Sequence, residues 1–154
     1  MKVLILNGPG LADLNGSEAY AGITLKAIEG ACAQLCGTLG WDLDFRQTDD
    51  AQQIAVWLAE AQGEVDALVL NPQAVQGPVQ PEHRQAIENA LDNQVPAIEV
   101  HLAHVLAGSV AAAKPLRPIN CNLGFICGLG IQSYLLAIKA LHRQLQPHGE
   151  IVSP

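Results

Sequence analysis

Short runs of aliphatic residues alternate along the chain with stretches in which apolar positions recur every three or four residues. Val3-Leu4-Ile5-Leu6 is an unbroken apolar run, the pattern of a strand covered on both faces. From Thr24, a residue type that caps helices, Leu25, Ile28, Cys32, Leu35 and Leu39 follow at helical spacing until Gly40. Leu43-Asp44-Phe45-Arg46-Gln47 alternates instead, which predicts a half-covered strand at the outside of a sheet. Asp49 or Asp50 caps a second helix carrying Ile54, Trp57, Leu58 and Ala61 and stopping at Gly63. Ala67-Leu68-Val69-Leu70 is a third strand, ended by Asn71-Pro72. A helix over 81–93 presents Ala86, Ile87, Ala90 and Leu91. Strands follow over 97–102 and 124–127, and a last helix over 133–145 carries Leu135, Leu136, Ile138, Ala140 and Leu141.

Strands alternating with helices predict an α/β fold: flavodoxin-like, doubly wound, three-layered, with a five-stranded parallel sheet in the order 2-1-3-4-5. It forms one domain over 1–146, followed by a loose tail over 147–154. Ligands of such sheets bind outside the carboxyl ends of the strands, where the strand order reverses between strands 1 and 3. The long loops fall at that edge, over 8–23, 72–80 and 103–123.

Composition narrows the partners. Of 154 residues 49% are hydrophobic but only 4% aromatic, so Ala, Val, Ile and Leu must build the core. Charged residues are 15%, below the usual share of about a quarter, which predicts area buried between subunits. The net charge of −7, with the few cations scattered from Lys2 to Arg143, argues against nucleic acid and anionic membranes. The apolar run after Met1-Lys2 stops at Asn7-Gly8-Pro9, too short for a secretory signal or a membrane span, and the expected location is cytoplasmic. Cys32, Cys36, Cys121 and Cys127 form no C-x-x-C and read as buried free thiols rather than disulfides or zinc ligands.

Candidate chemistry gathers at the carboxyl edge. Glu99 and His101 are two apart on strand 4 and share a face. They are either a structural pair that satisfies itself or a site pair, because an unmet ionisable group is costly there. Asn71 either points its amide toward the same crevice or caps a turn. His83 and Arg84 open a helix, while His104, Lys114 and Arg117 lie in the loop after strand 4. Tyr20, one of two tyrosines, falls in the loop after strand 1, where packing and chemistry are both open to it. Gly128-Leu129-Gly130-Ile131-Gln132-Ser133 is read as a tight turn before the final helix rather than a phosphate cradle, since its third glycine position is serine and no β-α-β unit follows.

Taken together, several blocks resemble type II 3-dehydroquinate dehydratase over about residues 2–142. They are Val3-Leu4-Ile5-Leu6-Asn7-Gly8-Pro9, Tyr20-x-Gly22-x-Thr24-Leu25, Asp44-Phe45-Arg46-Gln47, Asn71-Pro72-x-Ala74, Ala86-Ile87-x-x-Ala90-Leu91, Ile98-Glu99-Val100-His101-Leu102 and Ile126-Cys127-Gly128-x-Gly130. The resemblance implies a flavodoxin-like subunit in a dodecamer of four trimers, and anti dehydration of 3-dehydroquinate in the shikimate pathway without metal or cofactor. A loop tyrosine, ionised beside a loop arginine, removes a proton to give an enolate, and a histidine protonates the departing hydroxyl. Tyr20 matches the base, Asn71 a substrate-positioning amide, Glu99 the carboxylate that orients the acid histidine, and His101 a substrate-binding histidine.

The chain departs from that pattern where the chemistry is done. Its loop Gly10-Leu11-Ala12-Asp13-Leu14-Asn15-Gly16-Ser17-Glu18-Ala19 is about two residues shorter than the family's and lacks the arginine, with Ala12 in place of an asparagine. Gly77 occupies the position of the acid histidine, Asn89 matches a family aspartate, Ala103 a substrate-binding serine, and the lid arginine falls among Ala111-Ala112-Ala113. A tyrosine titrating near pH 10 is ionised in only about one copy per thousand at pH 7. Between Gly8 and Ile23 there is no Lys or Arg, while Asp13 and Glu18 are both present, so local charge keeps Tyr20 protonated. The reading is a divergent dehydroquinase-like protein that keeps fold and assembly, has lost most or all dehydratase activity, and retains a crevice for a small hydroxy-carboxylate. The alternative is a working dehydratase with Tyr20 as base and a substitute acid such as His83, and with Lys114 or Arg117 replacing the lid cation.

Overall fold

A computed structural model describes residues 1–16, 22–72, 81–92, 95–103, 116–119 and 123–147. Strands β1 (Lys2–Asn7), β2 (Asp42–Gln47), β3 (Ala67–Asn71), β4 (Ala97–His101) and β5 (Leu123–Cys127) form one sheet in the order 2-1-3-4-5, and all four pairings are parallel. Helices α1 (Leu25–Leu39), α2 (Ala51–Glu60), α3 (Pro81–Leu91) and α4 (Ile131–Leu145) flank it. This is the α/β architecture that the alternating pattern predicts.

Local chemistry sets the helix ends. Thr24 accepts a hydrogen bond from the Ala27 N–H at 3.0 Å and Asp50 accepts from the Gln52 N–H at 2.9 Å, so each caps its helix. Gly40, at φ 70°, closes α1 in the left-handed conformation that only glycine adopts freely.

Each face of the sheet carries its own core. Val3, Ile5, Ala67, Val69, Ile98 and Val100 pack with α1 and α4, whereas Leu4, Leu6, Leu68, Leu70 and Ala97 pack with α2 and α3. Cys32 and Cys36 are buried free thiols in the first of these, and burial pushes the Cys32 thiol up to about 12. The outer strands differ: β2 carries Asp42, Asp44 and Arg46, with Arg46 held in a two-pronged bond to Asp44, while β5 carries no charge. Among the described residues no helix is long and apolar enough to cross a membrane.

Two features depart from the sequence expectations. Within the segment read as loop, Leu11–Gly16 forms a 3₁₀ helix interrupted at Asp13, and its Leu11 and Leu14 are buried against the α1/α4 side of the sheet. The buried stripe of α4 is Tyr134, Ala137, Ile138 and Leu141; Leu136 is 41% exposed and Ala140 also faces water. The aliphatic residues suggested a face rotated away from the one that packs, because a tyrosine and a small alanine weigh little in such a pattern.

Candidate functional site

Asn7 and Asn71 end β1 and β3 as register partners, at the place where the strand order reverses. The pairing continues one step beyond the strands, since the Gly8 N–H donates to the Asn71 carbonyl at 2.8 Å. There the two loops are pressed together. A Cβ on Gly8 would lie 2.3 Å from the Pro72 carbonyl oxygen, well inside contact distance, so only glycine fits without movement.

A chain of hydrogen bonds spans the three strands at this edge. Asn7 Nδ2 donates to the Arg46 carbonyl on β2 at 3.0 Å. Tyr134 Oη, reaching in from α4, donates to Asn7 Oδ1 at 2.7 Å and accepts from Asn71 Nδ2 at 2.9 Å. Asn7, Asn71 and Tyr134 are all buried, and among the described residues Asn71 Oδ1 has no hydrogen-bond partner. Burial pushes the Tyr134 phenol well above its ordinary range, so it stays protonated and cannot serve as a base.

Glu99 and His101 lie on the other face of the sheet, in step with Ala97, which packs on the α2/α3 side. They are 1% and 2% exposed, and His101 Nε2 and Glu99 Oε1 are 2.8 Å apart. Glu99 Oε2 accepts from the Leu116 N–H at 2.8 Å, so each carboxylate oxygen is engaged from within the chain. The His101 ring also meets the Phe125 ring, with centroids 5.6 Å apart. Beyond Leu116, the Arg117 N–H donates to Glu88 Oε1 at 2.9 Å, and Arg84 Nε lies 3.1 Å from the same oxygen. The segment starting at Leu116 is thereby tied to both β4 and α3.

The structure thus brings Asn71 and the Glu99–His101 pair to one edge of the sheet but on opposite faces. His83 is half-buried in the first turn of α3. Asn89 is exposed, accepts from Gln85 Nε2 at 2.9 Å, and lies roughly 9 Å down the helix from His83, away from the pair. Ala103 is half-buried against the α1/α4 core, and the Arg117 residue is exposed. Tyr20, Gly77, His104 and Lys114 lie outside the described residues. In the Gly128–Gly130 turn, the Gly128 N–H donates to the His101 carbonyl at 3.3 Å and the Gly130 N–H to that of Leu102 at 3.0 Å, engaging donors that a phosphate would need. No group of acidic, histidine and cysteine side chains suited to a metal occurs among the described residues.

Asn7 and Tyr134 escape sequence reasoning. The one signal for Tyr134 is its place in the i, i+3, i+4, i+7 series with Ala137, Ile138 and Leu141, which marks a buried tyrosine whose hydroxyl needs a partner.

Comparison with known proteins covers most of the chain. Residues 1–142 match the family model described as dehydroquinase class II. The 3-dehydroquinate dehydratase of Rhizobium meliloti (strain 1021) is 36% identical over 141 residues, covering 90% of this chain and 92% of that protein. The crystal structure of type II dehydroquinase from Butyrivibrio crossotus DSM 2876 matches with a TM-score of 0.77 at 26% identity, over 92% of this chain and 97% of that one. A 3-dehydroquinate dehydratase-like protein from Bifidobacterium longum matches with a TM-score of 0.64 at 26% identity, over 96% and 99% of the two chains.

Proposed function

The chain belongs to the class II dehydroquinase family, and from that premise we propose that its crevice binds a small hydroxy-carboxylate while most or all dehydratase turnover has been lost. The observation that carries this is Gly77, which stands where the resemblance places the acid histidine and has no side chain to donate a proton. The missing loop cation works in the same direction, because without it the Tyr20 phenol keeps its proton. Loss of a general acid alone lowers a rate by typically about 10²–10⁴-fold. With 3-dehydroquinate as substrate, followed by absorbance of the enone product, we expect no turnover above background. Ready turnover abolished by Tyr20→Phe would overturn the reading.

One placement favours the alternative of a working 3-dehydroquinate dehydratase. His83 sits half-buried in the first turn of α3, near the carboxyl edge, as a substitute acid would need to. In that case His83→Ala and Tyr20→Phe each abolish turnover.

The protein is also read as self-associating, which a dodecamer of four trimers would satisfy. The low charged fraction of 15% and the exposure of Val56 and Leu136 on helix surfaces support this. Sedimentation should show a multimer at micromolar concentration, and a single 16.3 kDa species would end that reading.

A further inference from the structure

We propose that Tyr134 is a positioning residue that fixes which way the Asn71 amide faces, and that the ligand group seated on Asn71 is a hydroxyl. The inference rests on the hydroxy-carboxylate reading for the identity of the ligand. The orientation itself follows from the order of donors and acceptors across the sheet.

The Arg46 carbonyl only accepts, so Asn7 must turn its NH₂ toward it and its Oδ1 toward Tyr134. The phenol has one proton, which goes to that oxygen. Only a lone pair remains for Asn71, which therefore presents Nδ2 to Tyr134 and leaves Oδ1 over. Reversing the Asn71 amide would set its oxygen against a phenol oxygen whose proton is already engaged. The chain of bonds is thus polarised from β2 through β1 to β3, and its last member is a buried acceptor that no donor meets among the described residues. A carboxylate or enolate oxygen there would meet another negative oxygen. A hydroxyl supplies the missing proton.

Tyr134→Phe removes only the hydroxyl and frees the Asn71 amide to turn. The test compares binding of quinate with that of cyclohexanecarboxylate, which carries the acid but no hydroxyls, in the unaltered protein and in Tyr134→Phe. The unaltered protein should prefer quinate, and the variant should narrow that preference by about tenfold, by weakening quinate alone. Equal weakening of both compounds, as a purely structural role would give, overturns the proposal, as does no change in either.

A second measurement needs neither variant nor ligand. In the free protein, NMR should show the Tyr134 hydroxyl proton exchanging slowly and close in space to an Asn71 side-chain amide proton. If neither acid binds while this contact is present, the hydroxy-carboxylate reading falls and the orientation stands. If the contact is absent, the orientation falls.

Discussion

Gly8→Ala should destabilise the protein by about 3 kcal/mol or more, because the added methyl would sit 2.3 Å from the Pro72 carbonyl oxygen and 2.7 Å from its carbon. Neither atom is the end of a flexible side chain. Relief requires moving backbone that also carries the 2.8 Å bond from the Gly8 N–H to the Asn71 carbonyl. For a chain of this length that cost corresponds to a fall in Tm of roughly 6–12 °C. Thermal and urea unfolding of the variant measure it, and a change below about 1 kcal/mol would show that the two loops separate easily. Any movement there displaces Asn7 and Asn71 together, so quinate binding should weaken along with stability.

Glu99→Ala should be at least as damaging, at about 3–5 kcal/mol, because it leaves two buried hydrogen-bonding groups unmet at roughly 1–3 kcal/mol each. It leaves the His101 ring and the Leu116 N–H without their acceptor, at residues no more than 5% exposed. Against a total stability of about 5–15 kcal/mol this is a large share. Glu99→Gln keeps an oxygen for Leu116 and an amide that can pair with a suitable His101 tautomer, so it should recover much of the loss. Chemical denaturation of the two variants separates the outcomes. A stable Glu99→Ala protein would mean that the carboxylate is held ready for a ligand rather than for the fold.

The parts of this structure that were legible in sequence are those decided within a few residues. Thr24, Gly40 and Asp50 mark helix ends through their own hydrogen-bonding chemistry or backbone freedom. The aliphatic runs at β1 and β3 announce burial on both faces. What escaped was set by partners distant in the chain. Tyr134 meets Asn7 across 127 positions and Asn71 across 63, and no local period encodes either meeting. The buried pair of Glu99 and His101 was visible from its spacing, but the third member, the Leu116 N–H, belongs to backbone and leaves no mark in sequence. Asn71 was found as a site candidate, yet its face was not, because that depends on how β3 sits in register with β1 and β4. The crowding at Gly8 is likewise a property of two loops.

The unlike outer strands also bear on how the protein survives its own synthesis. An exposed strand edge is a template for further chains, and charge along it is a common guard against such accretion. Asp42, Asp44 and Arg46 provide that guard on β2, whereas Leu123–Cys127 offers neither charge nor proline to discourage a stray strand. Among the described residues the charged guard is therefore one-sided, and the rim formed by the last strand to be made is the one without it.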